Sequence, residues 1–121
     1  MKANSPSLNL LVIRSPDMER AVTFYRALGL EFTKHAHGTG PQHYTAEMGA
    51  LVFEIYPQTA KSSPTTSTRL GFSVASLDET LQALSEIDAI IITPPTDSEW
   101  GRRAIVKDLD GHTVELVEQK A

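Results

Sequence analysis

Two glutamates stand in the middle of alternating, mostly apolar runs: Glu54 in VFEIY (residues 52–56) and Glu115 in TVELV (residues 113–117). In an extended chain, successive side chains point to opposite faces. Val114 and Leu116 therefore share one face, and Thr113, Glu115 and Val117 share the other. By the same rule Phe53 and Ile55 oppose Val52, Glu54 and Tyr56. A carboxylate so placed is solvated, paired with a cation, or bound to something positive. Arg69, which opens the run RLGFSV, is a permanent cation without a lone pair. Set between the two acids, it would neutralise one and donate to both, either as a structural ion pair or as part of a ligand site. Either glutamate is also a candidate general base, because an apolar surrounding raises a carboxyl pKa.

Other reactive side chains are sparse. The four histidines are His35, His37, His43 and His112. His35 and His37 would share one face of a strand, but they precede Gly38 and read as solvated surface. His112 follows the Asp110-Gly111 turn signal and is expected to be exposed. His43 and Tyr44 open one strand, so one of them must share a face with Glu54. Trp100 is the single tryptophan; it is placed either to stack on a planar ligand or to pack locally. There is no cysteine, which excludes disulfides, thiolate metal sites and cysteine nucleophiles. No phosphate-cradling glycine loop precedes a helix, and no Ser/His/Asp set is readable.

These residues need strands and helices to hold them. Strands are expected over residues 8–14, 30–35, 42–48 and 50–56, with a helix after the first, capped by Ser15 with Pro16 at its first position and stopped by Gly29. After a polar Ser/Thr/Pro stretch the pattern restarts: a strand over 69–74, a helix opened by the capping box Ser76-Leu77-Asp78-Glu79, a strand over 89–93 ended by Pro94-Pro95, and a hairpin turning at Asp110-Gly111. The chain thus repeats a βαβββ unit, with module one at 8–57, a linker at 58–68 and module two at 69–118. One such unit of about 55 residues would struggle to bury its sheet. Two units together bury the helices on one face and leave the other curved into a cup. The core side would carry Leu11, Ile13, Leu51, Phe53, Ile55, Leu70, Phe72, Val74, Val114 and Leu116. The cup side would carry Leu10, Val12, Arg14, Val52, Glu54, Tyr56, Arg69, Gly71, Ser73, Thr113, Glu115 and Val117. On a single strand such a mixed lining would read as a solvated sheet face, but four strands agreeing in a duplicated pattern point to a small-molecule site.

Composition sets the outer bounds. The chain has 121 residues, a formal net charge of −4, and 40% hydrophobic and 21% charged residues. This suits one globular domain and argues against nucleic acid as the partner. No apolar run is long enough to span a membrane, and the N-terminal stretch lacks the apolar segment of a signal peptide. A cytoplasmic protein is the expectation.

Three stretches carry a family resemblance: SPDMERAVTFYRALGLEF near the start, VFEIY at residues 52–56, and WGRRAIVKDLDGHTVEL at residues 100–116. With them the chain resembles the vicinal oxygen chelate superfamily, which includes glyoxalase I, extradiol dioxygenases and bleomycin-resistance proteins. The resemblance implies an α+β fold of two βαβββ modules forming a cup-shaped, partly open eight-stranded sheet. It also implies a homodimer. Metal-dependent members place four ligands at positions that here hold Leu10, Glu54, Arg69 and Glu115. Leu10 has no donor and Arg69 no lone pair, so neither a metal nor another cofactor is expected. The implied function is binding of a small organic molecule, with Leu10, Val12, Glu54, Tyr56, Arg69, Ser73, Trp100, Thr113 and Glu115 lining the site. The alternative is an enzyme: a metal-dependent lyase or dioxygenase of the superfamily, or a metal-free one using Glu54 or Glu115 as base.

Overall fold

The structure is a computed structural model and describes residues 4–36 and 38–120; His37 lies outside them. Its elements run β1 (Leu10–Ser15), α1 (Met18–Ala27), β2 (Thr33–His35), β3 (His43–Met48), β4 (Leu51–Pro57), β5 (Arg69–Val74), α2 (Leu77–Ser85), β6 (Ile90–Ser98), β7 (Gly101–Lys107) and β8 (Thr113–Glu118). This is βαβββ twice, an α+β fold, as expected. The strands form two four-stranded sheets of identical topology, β1-β4-β3-β2 and β5-β8-β7-β6. In each, the first strand pairs parallel with the fourth, and the remaining pairs are antiparallel. No described helix is long and apolar enough to cross a membrane.

Local chemistry explains the ends. Helix α1 is capped by Asp17, whose side chain accepts the Arg20 N–H at 3.2 Å, rather than by Ser15. Ser15 still belongs to β1, paired with Pro57, and its hydroxyl accepts the Asp17 N–H. Pro16 therefore precedes the helix. Gly29, at φ 108°, turns the chain out of α1, where an L side chain would be strained. Helix α2 is capped by Ser76 as expected. Strand β6 continues through Pro94 and Pro95 instead of stopping there. It is an edge strand with register shifts on both sides of Thr93, so the missing proline N–H groups break no required ladder.

The apolar faces assigned by alternation form the core, except that Leu11 and Phe72 only pack against it partly buried and Leu51 stays outside it. Ile13, Phe53, Ile55, Val114 and Leu116 have no exposed surface, and one cluster joins them to Ala21, Val22, Phe24 and Tyr25 of α1 and Leu77 and Leu84 of α2. Tyr25 is its hub. Its ring lies 5.0 Å from that of Phe53 and 5.9 Å from that of Phe72, so aromatic contacts bridge the two sheets. Its hydroxyl donates to Asp108 Oδ2 at 2.7 Å.

The loop between β7 and β8 is built on that aspartate. Asp108 Oδ1 accepts the N–H groups of Asp110, Gly111 and His112 at 2.9 to 3.0 Å, and Gly111 takes φ 108°. His112 is completely buried, not exposed. Its Nδ1 lies 2.8 Å from Asp108 Oδ2, and its Nε2 lies 2.7 Å from the Thr65 hydroxyl, which also accepts the Arg14 N–H at 3.0 Å. The polar partners at both ring nitrogens are what make burial of the imidazole tolerable. One chain of bonds thus ties α1, the hairpin loop, the segment before β5 and the end of β1. Burial pushes the Asp108 carboxyl upward, but hydrogen bonds from His112 and Tyr25 outweigh it and hold the group below the ordinary carboxyl value. The same burial, then the Asp108 charge, pushes the Tyr25 phenol far up.

Candidate functional site

The faces turned away from the core hold the charged side chains. On the second sheet, the register sets Arg69, Gly71 and Ser73 of β5 beside Thr113, Glu115 and Val117 of β8, and these beside Lys107, Ile105 and Arg103 of β7. Glu115 sits in the middle. Its Oε2 accepts from Arg69 Nε at 2.8 Å and its Oε1 from Arg103 Nη1 at 2.9 Å. One carboxylate thus bridges cations on two strands. Lys107 Nζ donates to Thr113 Oγ1 at 3.0 Å and to Gly111 O at 3.3 Å. Arg69 is half exposed, whereas Glu115 and Arg103 each keep about a quarter of their side-chain surface.

On the first sheet Glu54 lies beside Val12 of β1 and Thr45 of β3. The Thr45 hydroxyl donates to Glu54 Oε2 at 3.0 Å, and His43 Nε2 is 3.4 Å from the same oxygen. His43 is the residue of its pair that shares the Glu54 face, and Tyr44 packs against the core. The buried His43 ring stacks flat on Tyr56, with centroids 4.3 Å apart, and the Arg14 guanidinium lies 5.6 Å from the Tyr56 ring centroid on this side of the sheet.

Arg69 therefore pairs with Glu115 and not with Glu54, and the expected three-residue network does not form. The two glutamates lie on different sheets, each with its own partners. Leu10 and Ser73 are exposed on their faces, Val12 and Tyr56 are partly buried, Thr113 accepts from Lys107, and Trp100 stands in the β6–β7 turn with 65% of its surface exposed. Arg103, Lys107, Thr45 and His43 complete the two faces. Strand alternation carried across the hairpin from Glu115 would have found Arg103 and Lys107, but only with the loop length known.

The donor set does not fit the metal that the superfamily's metal-dependent members hold. Leu10 offers nothing, Arg69 offers only protons, and both Glu115 oxygens already accept from guanidinium groups. Among the described residues, no group of three or more His, Asp or Glu side chains is arranged to hold an ion.

Two βαβββ units with helices on one side and charged, partly open faces on the other define a recognisable class. The chain belongs to the Glyoxalase/Bleomycin resistance protein/Dioxygenase superfamily, whose family model matches residues 7–116. Its fold is similar to that of TnmS3, an antibiotic binding protein from Streptomyces sp. CB03234, at 20% identity and a TM-score of 0.78, covering 98% of this chain and 100% of that one. It is also similar to the oxidase ChaP-H2, at 16% identity and TM-score 0.75, covering 96% and 95%. Lactoylglutathione lyase from Agrobacterium tumefaciens matches at 15% identity and TM-score 0.67, covering 95% of each chain. Likeness at this level establishes the fold, which a binding protein, an oxidase and a lyase all share. No curated protein matches the sequence.

Proposed function

We propose that this protein binds a small organic molecule on the faces described above, without a metal or other cofactor. The site takes in Leu10, Val12, Glu54, Tyr56, Arg69, Ser73, Trp100, Thr113 and Glu115. The observation that carries the reading is the Glu115 bridge: at a position where the superfamily can place a metal ligand, both carboxylate oxygens are engaged by arginines. TnmS3 shows that this fold can serve a binding protein, as the oxidase and the lyase show that it can serve enzymes. The working unit is a cytoplasmic homodimer, and nucleic acid is not its partner. Support for the dimer comes from the edge strands β1, β2, β5 and β6 and from the exposed side chains of Leu8, Leu10, Ile90 and Ile92.

A metal-free enzyme is the second reading, favoured by one feature: Glu54 with His43 and Thr45 is a carboxylate–imidazole–hydroxyl group on a partly open face. Thermal unfolding of chelator-treated protein against a panel of organic acids, amines and neutral aromatics tests both. Binding predicts a raised midpoint, with the compound recovered unchanged. Product formation lost in Glu54→Gln would establish the enzyme. A response that appears only after divalent metal is added would overturn both readings.

A further inference from the structure

The face around Gly71 runs against the charge of the chain as a whole. The protein carries a formal net charge of −4, yet Arg69, Arg103 and Lys107 converge on a face of β5, β7 and β8 whose acid is Glu115. Glu115 accepts one hydrogen bond from each guanidinium. A guanidinium has five N–H donors in a planar fork, and among the described residues neither arginine has a further acceptor. Several directed donors therefore remain for something outside the chain.

Gly71 supplies the space. In the first sheet Val12 lies beside Glu54; in the second, Gly71 takes the corresponding place beside Glu115. Gly71 is not among the glycines with positive φ, and a Cβ built on it meets nothing within 4 Å. Neither backbone conformation nor packing within the chain requires glycine there, although glycine weakens a strand. Glycine in a strand also marks a place where another group approaches closely.

We propose that this face takes the carboxylate or phosphate of an organic acid, with the anion held by Arg69 and Arg103 over Gly71. The inference rests on the reading of these faces as a ligand site and names the ligand's chemical class. Glu115 is then the internal anion that occupies the arginines when the ligand is absent. A guanidinium fork matches either oxyanion, whereas a cationic ligand would meet three positive side chains and a carboxylate already engaged.

Calorimetric titration at low salt with naphthoate, naphthyl phosphate and neutral naphthyl methanol tests this, with circular dichroism confirming that each variant is folded. Both anions should bind, or the one whose geometry the fork prefers, and the neutral alcohol about tenfold more weakly or worse, as expected for loss of a charge-assisted bond. Arg69→Gln and Arg103→Gln should each weaken the anion about tenfold on the same ground. Gly71→Val should fold normally and lose binding. Glu115→Gln should tighten binding, because it removes the competing carboxylate. The exposed position of Arg69 keeps its variant informative if Glu115→Gln does not fold. Equal binding of the alcohol and the acids, unchanged in the arginine variants, would overturn the anion inference and leave the ligand-site reading standing. No binding of any probe, together with a Gly71→Val variant that changes only self-association, would overturn both.

Discussion

Tyr25 of α1 and Asp108 of the β7–β8 loop are joined by a 2.7 Å hydrogen bond. The bond lets the first repeat grip the loop that presents β8, and with it Glu115. Tyr25→Phe keeps the ring packing and removes the donor. It should cost about 1.5–3 kcal/mol, the range for a hydrogen bond to a charged group. Urea unfolding should show the midpoint falling with the slope unchanged; a loss under about 0.5 kcal/mol would mean the bond is not made in solution.

Asp108 should give the protein an acid-sensitive component. Its carboxyl is held below the ordinary value, so the native state favours the ionised form. That stabilisation is complete above the unfolded carboxyl pKa of about 3.9 and is lost as pH falls through the lower native value. Asp108→Asn should therefore be less stable at neutral pH and decline less steeply in acid. Parallel stability curves for the two proteins would contradict this.

Arg69 and Arg103 should contribute unequally. Arg69 is half exposed, and its loss leaves Glu115 with Arg103, so Arg69→Ala should cost under about 1 kcal/mol. Arg103→Ala should cost more, because the more enclosed arginine is removed. With both gone, Glu115 keeps no cationic partner, and a double-mutant cycle should show coupling of about 0.5 kcal/mol or more. Additive losses would mean the three charges do not act together.

Metal titration follows from the donor set. Chelator-treated protein should show no stoichiometric Zn, Ni, Mn or Fe site that depends on Glu54 and Glu115. Tight uptake lost in the Glu54→Gln, Glu115→Gln pair would contradict the assignment.

Self-association should run through exposed apolar edges. Ile90 and Ile92 lie on edge strand β6 with 65% and 48% of their surface exposed. Light scattering at micromolar concentration should report a dimer, and Ile90→Lys with Ile92→Lys should shift it toward monomer. A monomeric parent protein would refute the dimer.

Alternation alone placed Phe53 and Ile55 inside and Glu54 outside, because a one-residue slip would turn the whole apolar set to water. The repeat was legible for the same reason. What sequence hid was decided by distant partners. His112 looks exposed beside a turn, and it is Thr65, 47 residues away, together with the nearby Asp108, that allows it inside. Of the adjacent pair Arg102 and Arg103, one reaches Asp78 and the other Glu115, a choice fixed by register across the loop. Pro94 and Pro95 read as a stop because nothing local marks β6 as an edge. Arg69 was expected between two glutamates that the fold sets on separate sheets.

The most direct test of the ligand site is where the protein responds. Backbone amide NMR spectra of chelator-treated protein should be recorded with rising naphthoate and naphthyl phosphate. The account predicts shifts concentrated around Gly71, in Arg69–Val74, Gly101–Lys107 and Thr113–Glu118. Shifts confined to β2, β3 and β6, or seen only after divalent metal is added, would contradict it.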